Sequence, residues 1–209
     1  MDEWTLPREW KFQRLIDLAT IIMGQSPPSQ TYNSEGQGLP LHQGVTDFEG
    51  FFHRNRLFVD GAPRPRIAEA GDILFSVRAP VARIALALNR MVLGRGLAAI
   101  RPAPAIKNFI FCHLRATFPR VDMIGNGAIY RAVTKDDVHG IPIIWPTDQI
   151  IEDFERHSTA IWSEIKTLYL SNVSLRAARD LLLPKLIAGE IDLSGSDRNV
   201  ERAADRAAA

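Results

Sequence analysis

Arginine is the residue type in this 209-residue sequence whose number and position could do chemistry. Twenty of the 25 basic residues are arginine, and residues 52–101 hold nine arginines, no lysine and three acidic residues. That segment carries a formal charge of +6, although the whole chain carries only +1. A guanidinium group is planar and can bind phosphate or guanine through two parallel hydrogen bonds. The distribution favours a nucleic-acid partner, and a solvated basic surface laced with ion pairs is the alternative.

Residue patterns that support catalysis are missing from the sequence. It contains no G-x-x-x-x-G-K-[ST], H-E-x-x-H or G-x-S-x-G motif, and no G-x-G-x-x-G after a strand. Its five histidines are scattered, and the single cysteine, Cys112, excludes an internal disulfide and a multi-cysteine zinc site. Glu164 and Lys166 have the E-x-K spacing of some nucleases, but they flank a seam residue of a heptad helix. We therefore expect no catalytic residues and no metal site.

The composition is that of a globular protein, with 46% apolar and 23% charged residues. The length allows one core-bearing domain and an appendage, but not two full domains. No stretch approaches the roughly 18 consecutive apolar residues of a membrane span. The first residues, MDEWTLPREW, are acidic and lack the apolar region of a secretion signal, so we expect a cytoplasmic protein.

Two kinds of periodicity meet near Pro146 and divide the chain. Before Pro146, clusters of Gly, Pro and Asn interrupt the sequence at short intervals, and the turn-like residues 94–96 (GRG) are one such break. The elements predicted between the breaks are strands over 72–77, 82–88, 97–100 and 141–146, and a helix over 109–118. These features predict an α+β domain, rich in loops, over residues 1–146.

A heptad repeat follows Pro146 and predicts one long helix within residues 147–193. One seam carries large apolar residues at a spacing of seven: Phe154, Ile161, Leu168, Leu175 and Leu182. A companion seam includes Ile165 and the polar Asn172, a residue type that fixes register. A helix of about 36 residues is about 54 Å long, longer than the preceding domain can cover. We predict a coiled-coil arm that pairs with another helix, with an amphipathic helix packed on its own domain as the alternative; residues 194–209 are predicted to be disordered.

The C-terminal segment makes the sequence recognisable. Residues 175–191, LRAARDLLLPKLIAGEI, resemble the conserved helix end of the DNA-specificity (S) subunits of type I restriction–modification systems. The resemblance continues upstream in short segments: 6–10 (LPREW), 24–27 (GQSP), 72–80 (DILFSVRAP), 94–96 (GRG), 127–130 (GAIY) and 141–146 (IPIIWP). In that family these segments belong to the target-recognition domain, so the resemblance covers residues 6–193.

The resemblance implies a DNA target-recognition domain with a twisted, mainly antiparallel sheet and short helices, followed by the long helix. Family members usually carry two recognition domains and two such helices, whereas this chain has one of each, as in a half-size subunit. It implies a homodimer with antiparallel helices, in which each domain binds half of a bipartite target on double-stranded DNA. The implied partners are adenine-methylating modification subunits and, in restriction complexes, an ATP-driven endonuclease subunit. The S subunit itself performs no chemistry, so S-adenosylmethionine, ATP and Mg²⁺ are expected only on the partner subunits.

The candidate DNA-contacting residues are polar or cationic and lie in loop-rich segments: Ser26, Arg54, Arg56, Arg64, Arg66, Arg95, Tyr130, Arg131 and Lys135. The candidate dimerisation residues lie on the two seams of the arm: Phe154, Ile161, Ile165, Leu168, Asn172, Leu175 and Leu182. Arg78 follows an apolar run and precedes a proline, so we expect it to anchor the fold as readily as to contact DNA. The alternative function is a coiled-coil assembly scaffold that binds protein rather than DNA. A stand-alone nuclease or methyltransferase is a third hypothesis, which the missing motifs disfavour.

Overall fold

The computed structural model describes residues 6–118 and 133–191. The chain divides into two compact units, residues 1–158 and 159–209. Two candidate DNA-contacting residues, Tyr130 and Arg131, lie outside the described residues, as does the segment 194–209. The expectations for those residues therefore stay predictions.

The elements are short except for the last helix. The strands are β1 Lys11–Arg14, β2 Ala19–Met23, β3 Tyr32–Asn33, β4 Leu39–His42, β5 Phe48–Glu49, β6 Phe52–His53, β7 Phe58–Val59, β8 Ile67–Ala68, β9 Ile73–Ser76, β10 Ile84–Leu86, β11 Met91–Leu93, β12 Leu97–Pro102 and β13 Pro142–Trp145. The α-helices are α1 Leu15–Leu18, α2 Lys107–Thr117, α3 Lys135–His139 and α4 Asp148–Ile187. The four predicted strands and the predicted short helix are all observed, with bounds within two residues of the prediction. Sequence periodicity predicted none of the eight strands described before residue 70, and five of them have only two residues, too few to show a period.

A four-stranded antiparallel sheet, in the order β10-β9-β12-β2, forms the centre of the first unit. Ala99 on β12 lies between Leu74 on β9 and Ile22 on β2, and both Ala99 and Leu74 are fully buried. The buried carboxylate of Asp72, just before β9, accepts hydrogen bonds of 2.8 and 2.7 Å from the Arg101 guanidinium on β12. A buried charge must be paired to be tolerated, so this ion pair fixes the two strands together.

A second sheet of five strands, in the order β3-β7-β4-β11-β8, packs against the first. Its β4 and β11 are parallel, with Leu41 opposite Val92, whereas the other pairs described in both sheets are antiparallel. Side chains from both sheets form one apolar cluster: Ala68, Leu74, Ala87, Met91, Leu93, Leu97 and Ala99. The chain passes from β11 in one sheet to β12 in the other through the predicted turn at 94–96. The α+β class with mainly antiparallel sheets is confirmed.

The start of α4 is fixed to the first unit by hydrogen bonds as well as by packing. The indole Nε1 of Trp145 on β13 donates to the Asp148 carboxylate at 3.2 Å. Two turns later, the buried carboxylate of Glu155 accepts a hydrogen bond of 2.8 Å from the backbone N–H of Phe109, in the first turn of α2. Ile151 and Ser158 are buried on the same side of α4. The first turns of the helix are thus part of the domain.

Helix α4 has 40 residues and includes Pro184, so it is about 60 Å long. It ends at Ile187, within the predicted segment 147–193, and Gly189 just beyond it has a positive φ of 70°. Gly189 N donates to the Leu186 carbonyl and Glu190 N to the Lys185 carbonyl, which is the Schellman arrangement of a helix C-terminus. Among the described residues, no helix combines the length and the apolar character needed to cross a membrane.

Candidate nucleic-acid interface

Five segments of the first unit meet and form what we call the loop cluster: residues 24–27, 42–44, 77–80, 94–96 and 133–135. Backbone hydrogen bonds join them in sequence-distant pairs. Gly94 N donates to His42 O at 2.8 Å, and Gly96 N donates to Gln43 O at 3.1 Å. Val77 N donates to Gly96 O at 3.0 Å, and Val133 N donates to Val77 O at 2.8 Å. The segments are therefore held in one arrangement by main-chain bonds that do not depend on their side chains.

Glycine is required where these segments approach each other. A Cβ atom on Gly94 would lie 2.6 Å from the Cα of Gln43, and one on Gly96 would overlap the Gln43 carbonyl oxygen. A Cβ atom on Gly24 would likewise overlap the Gly94 carbonyl oxygen. The GQSP segment, the GRG turn and the end of β4 thus pack backbone against backbone. This close approach gives a physical reason for two of the short motifs that the sequence analysis singled out.

The exposed charged side chains of the loop cluster are all cationic. Arg78, Arg95 and Lys135 are exposed, and the five segments contain no aspartate or glutamate. Within residues 6–118 and 133–191, no carboxylate forms an ion pair with Arg78 or Arg95. The Oγ of Ser26 lies 3.4 Å from the backbone N–H of Arg95, which links the GQSP segment to the GRG turn. Two predicted DNA-contacting residues, Ser26 and Arg95, are therefore neighbours, and a third, Lys135, lies two residues after Val133, whose N–H bonds to Val77 O.

The predicted DNA-contacting arginines at the β5–β6 hairpin, unlike Arg78 and Arg95, form ion pairs with carboxylates. The Nη2 of Arg54 donates to the Glu49 carboxylate at 2.8 Å, and the Nε of Arg56 lies 3.0 Å from the Asp47 carboxylate. In each pair the carboxylate cancels the positive charge of the arginine that would otherwise attract a phosphate. Such exposed pairs are weak, because water screens the charges. If either arginine bound a phosphate instead, its carboxylate partner would be left unpaired beside the negatively charged DNA, which is unfavourable.

Arg64 and Arg66 lie in the segment that enters β8. Both side chains are exposed, and Arg64 has a positive φ of 46°, in the left-handed region. The Arg66 carbonyl accepts a hydrogen bond of 2.8 Å from Leu93 N, so its backbone is fixed to β11. In the described part of the chain, neither guanidinium has a carboxylate partner. Their contact with DNA stays a prediction.

Sequence reasoning missed the glutamines of this surface and undervalued Arg78. Gln25 and Gln43 are exposed and lie in or beside the GQSP and GRG contacts. No periodicity or motif distinguishes a single glutamine in a loop, so no signal could have found Gln43. Arg78 is exposed, and the arginine that does anchor the central sheet is Arg101, through its ion pair with Asp72.

Two buried histidines, one of them in the loop cluster, pack against each other. The rings of His42 and His53 are edge to face, with centroids 4.5 Å apart, and both residues are buried. His53 Nε2 accepts a hydrogen bond of 3.0 Å from Leu88 N, and His42 Nε2 lies 3.0 Å from the Asn55 side-chain oxygen. Burial, and secondarily the neighbouring His42, lowers the pKa of His53 to about 3. Burial also lowers the pKa of His42, against an opposing contribution from Asn55.

We expect acid to destabilise the first unit through His53. The unfolded chain binds a proton at His53 below a pKa of about 6.5, whereas the folded chain does so only near 3. Stability is therefore full above pH 6.5 and falls as the pH decreases towards 3, with a loss of about 2 kcal/mol at pH 5. Urea unfolding at pH 7.5 and 5 should show this slope, and His53→Gln should flatten it. His157→Gln, which changes an exposed histidine, is the control and should keep the wild-type slope; an unchanged slope in His53→Gln would contradict the prediction.

The predicted dimerisation residues fall into two environments. Phe154 lies within the first unit, where its ring packs edge to face against Phe109 with centroids 6.0 Å apart. The remaining residues of its seam lie in the second unit with exposed side chains: Ile161, Leu168, Leu175 and Leu182. Beyond Ser158, no described residue of α4 is buried in the single chain. An apolar stripe of this length in water is a feature of an interaction surface.

Among the described residues, no group of three or more histidine, cysteine, aspartate or glutamate side chains is arranged to hold a metal ion. The first unit instead presents a rigid, cationic set of loops on a β domain, and the second presents one seam of a long helix. Together these features define a binding module: a recognition domain joined in sequence to a helical arm.

Comparison with known proteins identifies the family. No family model matches the chain. It is 33% identical over 190 residues to a putative type I restriction enzyme MjaX specificity subunit of Methanocaldococcus jannaschii, covering 89% of this chain and 44% of that protein. It is 25% identical over 197 residues to the type I restriction enzyme HindI specificity subunit of Haemophilus influenzae, with 89% and 42% covered.

Solved structures agree with the sequence relatives. An HsdS subunit from Thermoanaerobacter tengcongensis matches with a TM-score of 0.62 and 32% identity, covering 91% of this chain and 47% of that one. A second match is a chain from a structure that describes the complex assembly and conformational transition of the type I R-M system. Its TM-score is 0.64 at 33% identity, and the match covers 87% of this chain and 45% of that one. The S subunit from M. genitalium, at 14% identity and a TM-score of 0.61 over 92% and 49%, supports the fold alone.

The chain belongs to the specificity-subunit family of type I restriction–modification systems, as predicted from the sequence. It spans about half the length of the curated relatives it matches.

Proposed function

We propose that this chain reads one half of a bipartite sequence on double-stranded DNA and thereby directs adenine-methylating modification subunits to that site. The observation that carries the proposal is the loop cluster, because Arg78, Arg95 and Lys135 are exposed on a backbone that main-chain bonds hold rigid. Guanidinium and ammonium groups provide phosphate contacts, and phosphate contacts set the register of a protein on the duplex. The family relationship supports the same function.

The arm is the proposed spacer. Two copies would pair through the exposed stripe of α4, with antiparallel helices that hold one recognition domain at each end. Half-sites read on one face of B-DNA lie about 34 Å apart, or a multiple of that distance. A helix of 40 residues, about 60 Å long, has the reach to connect them. The same arm is the proposed contact for the modification subunits and, in a restricting complex, for an endonuclease subunit.

The chemistry is assigned to the partners. S-adenosylmethionine would bind the modification subunits, and ATP and Mg²⁺ would serve the complex through subunits other than this one. The proposed compartment is the cytoplasm, where the DNA of a bacterial or archaeal cell is accessible.

We expect the isolated chain to bind DNA but neither to methylate nor to cleave it, since its sequence has no nucleotide loop and no nucleophile–base motif. Highly purified protein should transfer no methyl group from labelled S-adenosylmethionine to DNA and should leave plasmid DNA intact with Mg²⁺ and ATP. Addition of an adenine-methylating modification subunit encoded beside this chain should start methylation. Methyl transfer by the chain alone would contradict the prediction.

Duplex binding at several salt concentrations tests the function itself. A chain that neutralises several phosphates loses affinity steeply as salt rises, with a slope of about −0.9 for each phosphate on a log–log plot. A protein-binding scaffold, the alternative function, would have no measurable affinity for duplex DNA at any of these concentrations. Absence of binding by the dimeric wild-type chain would therefore overturn the proposed function.

A further inference from the structure

We infer that Gln43 is a specificity-determining residue that reads an adenine edge in the major groove of the target. The inference rests on the proposed function and adds to it the side chain that recognises one base pair. Three observations carry it: the hydrogen bonds that fix the Gln43 backbone, the exposure of its side chain, and the exposed cations in the neighbouring segments.

The Gln43 backbone is fixed on both flanks. The preceding strand, β4, is paired with β11 through Leu41 and His42, and the His42 carbonyl accepts the hydrogen bond of Gly94. The Gln43 carbonyl accepts a hydrogen bond from Gly96 at 3.1 Å. Its Cα, Cβ and Cγ atoms lie where a side chain on Gly94 would begin, so the GRG turn fits closely against the glutamine stem. A side chain that recognises a nucleotide base needs a rigid backbone, because a displaced side chain cannot form both hydrogen bonds to the base at once.

The Gln43 side chain is exposed, and within the described residues no hydrogen bond to its amide is formed. A glutamine amide carries one acceptor oxygen and two donor hydrogens. Adenine presents an acceptor, N7, and a donor, the N6 amino group, side by side in the major groove, so a glutamine can form both bonds at once. No other common base edge in that groove offers the same pair to one amide in this bidentate manner.

The neighbours of Gln43 suit a position over DNA. Arg95 lies between the two glycines that contact Gln43, and Arg78 follows Val77, whose N–H bonds to Gly96. Both guanidinium groups are exposed and can hold the flanking phosphates. Gln25 is also exposed and its N–H donates to Leu93 O at 3.0 Å, but of the two glutamines it is the Gln43 stem that lies against Gly94 of the GRG turn. Gln43 is therefore the better-placed reader.

The test is selection of preferred sequences from a pool of 40-base-pair duplexes with randomised positions, using the full-length chain. The variants are Gln43→Ala, Gln43→Glu and, as a control, Gln37→Ala, which removes an exposed glutamine from the loop between β3 and β4. Wild type and Gln37→Ala should select the same sequence, with a fixed adenine. Gln43→Ala should lose the preference for that one base pair by at least about 10-fold and keep the others. Gln43→Glu should change the preferred base from adenine to cytosine, because a carboxylate accepts from the cytosine amino group.

The outcomes separate the inference from the proposed function. If wild type selects a sequence that Gln43→Ala also selects unchanged, the inference is wrong and the proposed function stands. If Gln43→Ala remains folded by circular dichroism but binds no duplex at all, Gln43 supports the loops rather than reads a base, which also overturns the inference. If wild type binds no duplex from the pool, the proposed function fails, and the role of Gln43 fails with it.

Discussion

Changing Leu168 and Leu175 together to aspartate should separate the two copies of the chain and abolish tight binding to a bipartite target. Both side chains lie on the exposed stripe of α4, with 53% and 66% of their surface accessible in the single chain. Fully burying an exposed leucine contributes about 1.5–3 kcal/mol, so burying the accessible part of four leucines in a dimer contributes about 4–7 kcal/mol. That is a large share of the binding free energy of a micromolar dimer, about 8 kcal/mol.

The recognition domain should survive this change. Its core is formed by the two sheets of the first unit, and the last buried residue of α4 is Ser158. The expected result is a folded monomer by sedimentation, with near-normal affinity for one half-site. Affinity for two half-sites on one duplex should fall by 100-fold or more, since the gain from linking two binding sites is typically about 10²–10⁴.

Thr167→Asp with Ser174→Asp is the matched control, because it adds the same charges at the same spacing on the polar side of the helix. This variant should remain a dimer. A Leu168→Asp, Leu175→Asp protein that still sediments as a dimer would show that the interface lies elsewhere. One that unfolds completely would show that the stripe stabilises its own domain instead.

Replacing Arg78 and Arg95 by alanine should weaken binding to every duplex and flatten its salt dependence. Each lost phosphate contact reduces the log–log salt slope by about 0.9, so the pair should reduce it by about 1.8 for each recognition domain that binds. At 0.1 M salt this corresponds to roughly 10- to 100-fold weaker binding. The loss should be similar for matched and unmatched sequences, because phosphate contacts carry no base information.

The hairpin arginines provide a control with the same change of net charge. Arg54→Ala with Arg56→Ala also removes two positive charges, but these arginines are paired with Glu49 and Asp47. This variant should lose less affinity and less of the salt slope than Arg78→Ala with Arg95→Ala. A larger loss from the hairpin variant would move the DNA interface from the loop cluster to the β5–β6 hairpin.

The sequence alone was sufficient for the features that repeat or lie within a few residues. The heptad from Phe154 to Leu182 predicts a long helix, because a spacing of seven places these side chains along one line of the helix surface. The strand at 72–77, the helix at 109–118 and the GRG turn could also be predicted, since apolar runs and glycine breaks are local. The end of α4 at Ile187 lies within the predicted segment 147–193, and the Schellman bonds that close the helix form at Gly189 and Glu190, after Pro184.

Only the tertiary structure decided which of the arginines are available. Counting charges over residues 52–101 gave Arg54 and Arg95 equal weight, since a sum of charges contains no distances. In the folded chain Arg54 is bound by Glu49 across a hairpin, whereas no described carboxylate pairs with Arg95. Arg101, which contributed to the same sum, forms an ion pair with the buried Asp72.

Gln43 shows the limit of the sequence most clearly. Its position beside Gly94 and Gly96 results from the parallel pairing of β4 with β11, strands about fifty residues apart in the chain. Periodicity and turn residues indicate the local structure of a segment, because they reflect contacts between residues close in sequence. The sequence was therefore sufficient to predict many of the elements, the long helix and the family. The choice of strand partners depends on how the apolar faces of distant segments pack together, and that choice placed Gln43 beside the turn that carries the exposed Arg95.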